Sequence, residues 1–160
     1  MLYRPYTPQD FDQLYALEER CFEPPSRFSR SYMRQLVNRS NGATWIAEED
    51  GQMAGFAIVE WNQEPDKVVA YIQTIEVADE QRGCGVGREL LLRIEGSARY
   101  AGAGMIWLHV ETENTAAIRL YEAQGYRCEG RNENYYPLGR AAFIYAKKYV
   151  PYDTIVDNLA

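Results

Sequence analysis

Histidine, cysteine and excess positive charge are what this chain has least of. Its 160 residues hold a single histidine, His109, and three cysteines, Cys21, Cys84 and Cys128. The cysteines are odd in number and far apart, and no two form a CxxC pair. That argues against a disulfide framework and against a zinc site, and it fits a reducing cytoplasm. Seventeen Lys and Arg stand against 23 Asp and Glu, a formal net charge of −6. The clustered cationic surface that a nucleic acid needs is therefore not expected. An amine-bearing substrate suits that balance better than an acidic one. No apolar run is long enough to cross a bilayer, and Met1-Leu2-Tyr3-Arg4-Pro5 lacks the apolar stretch of a signal peptide. Low-complexity tracts and repeats are missing as well. The length suits one domain with a good core, expected over residues 1–150.

What is present is most telling at Gln81-Arg82-Gly83-Cys84-Gly85-Val86-Gly87. Before it runs Tyr71-Ile72-Gln73-Thr74-Ile75-Glu76-Val77, rich in β-branched and aromatic residues as strands are. After it, Leu90, Leu91, Ile94 and Ala98 recur at helical spacing. Glycines between a strand and a helix free backbone N–H groups to face an anion, and the helix N-terminus adds partial positive charge. A pyrophosphate is the guest this pattern suggests; a tight structural turn would use the same residues.

Along the chain, Leu2 to Tyr6 reads as a short strand, and Thr7-Pro8 starts a helix with Thr7 as N-cap. Phe11, Leu14, Leu17 and Cys21 form its buried stripe, and Pro24 and Pro25 end it. A second helix from Arg30 to Asn38 buries Met33, Leu36 and Val37. Trp45 to Glu48 and Met53 to Trp61 make a hairpin around Asp50-Gly51, with a polar loop expected from Asn62 to Lys67. Gly102 and Gly104 are expected to stop the helix that follows the glycine segment. Met105 to Glu111 reads as a strand, Asn114 to Ala123 as a short helix closed by Gly125. Tyr126 to Arg131 and Ala141 to Tyr149 then pair antiparallel. The order β-α-α-β-β-β-α-β-α-β-β describes a mixed α/β (α+β) sheet covered by helices.

With these blocks in hand, the chain resembles the GNAT superfamily of acetyl-CoA-dependent N-acyltransferases up to about Tyr149. Three blocks carry the likeness: Ile75-Glu76-Val77 running into Arg82-x-x-Gly85-x-Gly87; Glu113-Asn114-Thr115-Ala116-Ala117-Ile118-Arg119-Leu120-Tyr121-Glu122 with Gly125-Tyr126; and Asn134-Tyr135-Tyr136-Pro137. The second and third are similar to protein N-terminal acetyltransferases in particular. The resemblance implies a mostly antiparallel twisted sheet with helices on both faces. It also implies acetyl-CoA as co-substrate, no metal, and a protein or peptide N-terminus as partner, with no nucleic acid and no membrane; the protein itself would be a cytoplasmic monomer or homodimer. The segment 151–160 falls beyond it as a C-terminal tail.

The same resemblance assigns roles. Arg82, Gly83, Cys84, Gly85, Val86, Gly87 and Arg88 would take the pyrophosphate through backbone amides, with Cys84 a tolerated loop residue and not a nucleophile. The backbone of Ile75 and Val77 would pair with the pantetheine arm, and Asn114 would contact the cofactor or cap its helix. Tyr121 resembles the tyrosine whose hydroxyl meets the CoA sulfur, hence a general acid; as a structural residue it would be core. Leu108-His109-Val110 and Tyr71 match the Tyr–His pair of enzymes acting on Met-initiated chains, which makes His109 and Tyr71 the base candidates. Alternation puts Trp107, His109 and Glu111 on one face of their strand. Glu76 is a fallback base, placed on the face opposite Tyr71 unless a bulge intervenes. Substrate contacts would come from Phe22 and Pro24 in one loop and Tyr135 and Tyr136 in another. Besides an N-terminal α-amine, a small-molecule amine acceptor and a non-catalytic acyl-CoA-binding module are compatible with the residues.

Overall fold

The computed structural model describes residues 1–149, so the tail expected over 151–160 lies outside the described residues. A strand β1 (Leu2–Pro5) leads into a short 3-10 turn, Pro8–Asp10, which runs directly into α1 (Phe11–Cys21). Thr7 caps this start as expected: its backbone N–H donates to Asp10 Oδ2 at 2.8 Å. After α2 (Arg30–Asn38) come β2 (Gly42–Glu49), β3 (Gln52–Glu64) and β4 (Lys67–Val77). Then follow α3 (Val86–Tyr100), β5 (Ala103–Glu111), α4 (Thr115–Ala123), β6 (Arg127–Asn132) and β7 (Ala142–Lys148). The element order is the one read from the sequence.

Two local expectations are corrected. Residues 62–67 are not a loop: β3 and β4 pair out to Glu64 with Lys67, closing in a tight turn. Their polar side chains reflect a hairpin arm that projects from the sheet body and has no buried face to mark it. Gly104 does not stop α3 but sits inside β5; Gly102, with φ of 97°, makes the reversal alone.

The seven strands form one sheet in the order β1-β2-β3-β4-β5-β7-β6, and every neighbouring pair is antiparallel except β4 with β5. Helices cover both faces. On one, Leu90, Leu91 and Ile94 of α3 and Tyr121 of α4 pack over Val59, Ile72, Ile106 and Leu108. On the other, Leu14 and Leu17 of α1 and Met33 and Leu36 of α2 pack over Ile46, Phe56 and Ile58. Burying each such aliphatic side chain contributes about 1.5–3 kcal/mol, so the two cores clamp the central strands rigidly.

That rigidity matters because the sheet is open in the middle. Strands β4 and β5 pair only from Val68 to Tyr71 against Ala103 to Trp107; beyond those residues the two strands diverge. A β-bulge helps set the geometry. Ile58 pairs with Thr74 and Val59 with Ile72, so Gln73 is an extra residue in β4. Alternation resets there: Ile72 and Ile75 pack on the α3 side, although three residues apart.

Candidate active site

A cavity of about 930 Å³ runs through the divergence of β4 and β5. Its walls include Ala117 and Tyr121 of α4 on one face of the sheet, and Phe22, Tyr32 and Tyr135 on the other. Ile75, Val110 and Asn114 lie along the passage. The gap joins the two faces of the molecule.

At the opening walled by Tyr32 and Tyr135 the structure brings together Tyr71 and His109. They occupy neighbouring strands, and the Tyr71 hydroxyl lies 2.8 Å from His109 Nδ1. Asn132 Nδ2 lies 3.2 Å from the other ring nitrogen, Nε2. Tyr135 stacks on the imidazole, with centroids 4.0 Å apart and planes inclined by 11°. Trp107 meets both rings edge-on. Burial lowers the His109 pKa below its ordinary value, so the ring is neutral and a proton acceptor at neutral pH. Burial, with a hydrogen bond to Tyr135, pushes the Tyr71 phenol well up, so it stays protonated. The double-tyrosine loop is thus in the cavity wall, and Tyr136 is pushed up to about 12, first by burial and then by Tyr135.

On the other face Tyr121 is 6% exposed, and burial followed by the proximity of Tyr136 raises its pKa, which keeps its hydroxyl protonated beside the passage. Asn114 caps α4, its Oδ1 accepting from Ala117 N–H at 3.2 Å, and also lines the cavity. The capping reading and the cavity reading therefore coexist.

The glycine segment sits at the start of α3. Gly83 and Gly85 have φ of 77° and 83°, a region other L residues enter at a cost of about 1–2 kcal/mol. Gly87 differs: its φ is ordinary and a Cβ there would meet Leu120 Cδ2 of α4 at 3.4 Å, a normal contact, so neither backbone nor space demands glycine there. The earliest helical bond is Glu89 N–H to Gly85 O at 3.1 Å. Amides ahead of it, including those of Val86, Gly87 and Arg88, have no partner within the helix, and orphan amides at a helix start are suited to receiving an anion. The Val86 side chain is core, 2% exposed, so only its backbone is available. Arg82 is tied to Asp79 at 3.0 Å and to Val77 O, and the exposed Cys84 thiol only contacts Arg82 O at 3.7 Å. Ile75 and Val77 pair with Ala57 and Gly55 of β3, which leaves their opposite backbone edge toward the gap.

Two sequence-based placements need correction. Pro24 is exposed and lies outside the cavity wall; its neighbours Pro25 and Ser26 line it instead, because the chain turns between them. Glu76 is on the Tyr71 face, since the Gln73 bulge shifts the alternation. It is 3% exposed and turned onto Glu18 of α1, and burial followed by the Glu18 carboxyl holds its pKa well above the usual range. Residues the sequence reading did not single out include Glu18, whose Oε1 accepts from Phe28 N–H at 2.9 Å. Arg140 is another: it donates to Ser26 Oγ at 2.7 Å and so ties together the two loops at the cavity mouth. Among the described residues no cluster of His, Cys, Asp and Glu is arranged to hold a metal ion, and no helix is long and apolar enough to cross a membrane.

Residues 11–126 match the Acetyltransferase (GNAT) family. The chain belongs to that family. The ribosomal protein bS18-alanine N-acetyltransferase of Escherichia coli is 34% identical over 131 residues, 80% of this chain and 82% of that protein. A crystal structure of the E. coli ribosomal-protein-S18-alanine N-acetyltransferase matches with a TM-score of 0.79 and 26% identity, covering 92% of each chain. Streptothricin acetyltransferase of Streptomyces lavendulae is 42% identical over 80 residues, 48% of this chain. The chain spans 40% of the length of that enzyme, and 37% of an uncharacterized Mycobacterium leprae protein that is 32% identical over 136 residues. As a GNAT domain, the chain has the mixed, mostly antiparallel sheet with helices on both faces that the resemblance implied.

Proposed function

We propose that this protein transfers an acetyl group from acetyl-CoA to a primary amine, and that the amine is the N-terminal α-amine of a protein or peptide. The observation that carries this reading is the cavity through the β4–β5 gap. It passes from Ala117 and Tyr121 of α4, the helix that Gly87 at the start of α3 lies against, to an aromatic-walled opening on the other face. A long, flexible acyl donor and a polymeric acceptor can then approach from opposite faces and meet in the gap.

The residues present fit acetyl-CoA. Amides over Gly83 to Arg88 suit its diphosphate, and the free backbone edge of Ile75 and Val77 suits its peptide-like arm. The bound co-substrate supplies an activated acetyl carbon as a thioester. The chain's own groups manage protons and polarity around it. Neutral His109, held by Tyr71, accepts the proton that the attacking amine must lose as its C–N bond forms. Tyr121, protonated because it is buried, donates to the sulfur as the C–S bond breaks. Strand pairing turns the Val110 N–H toward Phe143 of β7, so a neighbouring amide on the gap edge of β5, that of His109 or Glu111, polarises the carbonyl. An α-amine has an ordinary pKa near ~8 and a lysine near ~10.4, so a weak base such as this imidazole suits the α-amine.

The similarity to an enzyme named as a ribosomal protein bS18-alanine N-acetyltransferase supports a protein acceptor. The local similarity to streptothricin acetyltransferase supports the alternative, a small-molecule amine. Incubation with acetyl-CoA and a panel of peptides with free N-termini, against polyamines, amino acids and streptothricin-type antibiotics, separates the two. Peptide acetylation at the α-amine is the expected result. Turnover of small amines with every peptide inert overturns the peptide reading, and CoA binding without any transfer overturns the enzyme reading.

A further inference from the structure

Both nitrogens of the single histidine are occupied, and the two partners are not equivalent. Tyr71 OH can accept or donate. The Asn132 carboxamide presents either an NH2 group or, after a half-turn about its last side-chain bond, an oxygen. In the orientation that turns Nδ2 to Nε2, at 3.2 Å, the amide donates and the Nε2 lone pair accepts, which puts the ring proton on Nδ1. That proton is directed at the Tyr71 oxygen at 2.8 Å. The reach of Asn132 is itself built into the sheet. Asn132 ends β6 opposite Ala142 of β7, and Ala142 is opposite Glu111, two residues along from His109 on β5. On this face β7 presents the small Ala142 opposite Asn132 and Ile144 opposite His109, and the amide reaches the imidazole diagonally past Ala142.

We propose that Asn132 is a positioning residue that sets the tautomer of His109 and follows its proton. With its NH2 toward the ring, it holds the neutral imidazole as the Nδ1–H form and leaves Nε2 as the nitrogen that gains a proton. With its oxygen toward the ring, it accepts from the Nε2–H of the imidazolium. Tyr71 accepts from Nδ1–H in both states and serves as the fixed end of the arrangement. Tyr135, stacked on the ring, and Glu111, ion-paired with Arg140 at 3.3 Å, are the other titratable groups around it. The tautomer assignment stands on geometry alone; its catalytic consequence rests on the acetyl-transfer reading above.

Because the chain has one histidine, uniform 15N labelling of the full chain gives one imidazole to observe by two-bond proton–nitrogen correlation. The expected result at a pH where the ring is neutral is a protonated-type shift at Nδ1 and a lone-pair shift at Nε2. Asn132→Ala should redistribute the proton toward Nε2. Asn132→Asp should fix it on Nε2 and raise the imidazole pKa by about one unit or more, since an opposite charge now faces it. The acid limb of kcat/KM should move up with it. A wild-type ring protonated at Nε2, or a tautomer that does not respond to Asn132→Ala, overturns the proposal. If the tautomer responds while the wild-type protein acetylates no amine, the assignment of Asn132 holds and the acetyl-transfer reading is the one that fails.

Discussion

Replacing Glu76 by Gln should stabilise the protein, and more so as pH rises. Glu76 and Glu18 are 3% and 1% exposed, and the side chains face each other across α1 and β4. Glu76 Oε2 accepts from Thr74 Oγ1 at 3.0 Å, and Glu18 Oε1 accepts from Phe28 N–H at 2.9 Å. The other two oxygens, Glu76 Oε1 and Glu18 Oε2, are buried with no partner. A proton held between the carboxyls satisfies both, which is why burial and Glu18 together raise the Glu76 pKa. The half-buried Cys21 thiol beside them, itself raised by burial and by Glu76, supplies no compensating positive charge. In the unfolded chain both glutamates ionise near pH ~4.3. Above that value and up to the raised native pKa, the folded state binds one more proton than the unfolded state. Stability in this window therefore falls with pH, by up to ~1.4 kcal/mol per unit, and it is fully present only below the unfolded pKa. An amide at position 76 keeps the Thr74 bond through its oxygen and donates to a Glu18 carboxyl oxygen through its nitrogen, with no shared proton needed. Satisfying a buried acceptor is worth about 1–3 kcal/mol, or roughly 2–12 °C in Tm for a chain of this size. Thermal or urea unfolding of both proteins at pH 5.5 and 8.5 measures it. A variant less stable than wild type at pH 8.5, or the same gap between the two proteins at both pH values, refutes the shared proton.

His109→Ala should lower kcat about 10²–10⁴-fold while acetyl-CoA binding, measured by calorimetry, stays nearly unchanged, because on the proposed reading the imidazole serves the acceptor amine. In the wild type the acid limb of kcat/KM should fall below the ordinary imidazole value of ~6.5, since burial disfavours the charged ring; a limb above 6.5 would contradict that placement. Gly85→Ala places a Cβ at φ of 83° and should cost about 1–2 kcal/mol and weaken acetyl-CoA binding, with kcat at saturation less affected. Arg140→Ala releases the tie to Ser26 and should raise the acceptor KM several-fold with a smaller change in kcat, as read by initial rates.

Legibility in the sequence followed how local the determinant was. Helix caps, apolar periodicity and glycine turns act over a few residues, so Thr7, the stripe of α1 and the start of α3 were readable in place. The Tyr71 and His109 candidates came from strand alternation together with family resemblance, and the structure sets them 2.8 Å apart. What stayed hidden depends on a bulge or on distant partners. Nothing in Tyr71-Ile72-Gln73-Thr74-Ile75-Glu76 marks Gln73 as the extra residue, because each side chain there is acceptable in a regular strand. Yet that one residue brings Glu76 onto the face where Glu18 waits. Ser26 and Arg140 are 114 residues apart in sequence, and Asn132 reaches His109 across an intervening strand.

The pattern has a physical reason. On the acetyl-transfer reading, residues that face the β4–β5 gap must suit the acyl donor, which limits their types and makes them recognisable. The residues that hold them need only suit each other. A small Ala142 permits a long reach by Asn132, and a bulged β4 permits a carboxyl pair. Such choices are correlated within one chain, and a reading that takes residues a few at a time does not see them. The groups most informative about how this protein tunes its imidazole therefore lie one contact away from the recognisable motif, where a substitution alters the pH profile of the site before it alters the fold.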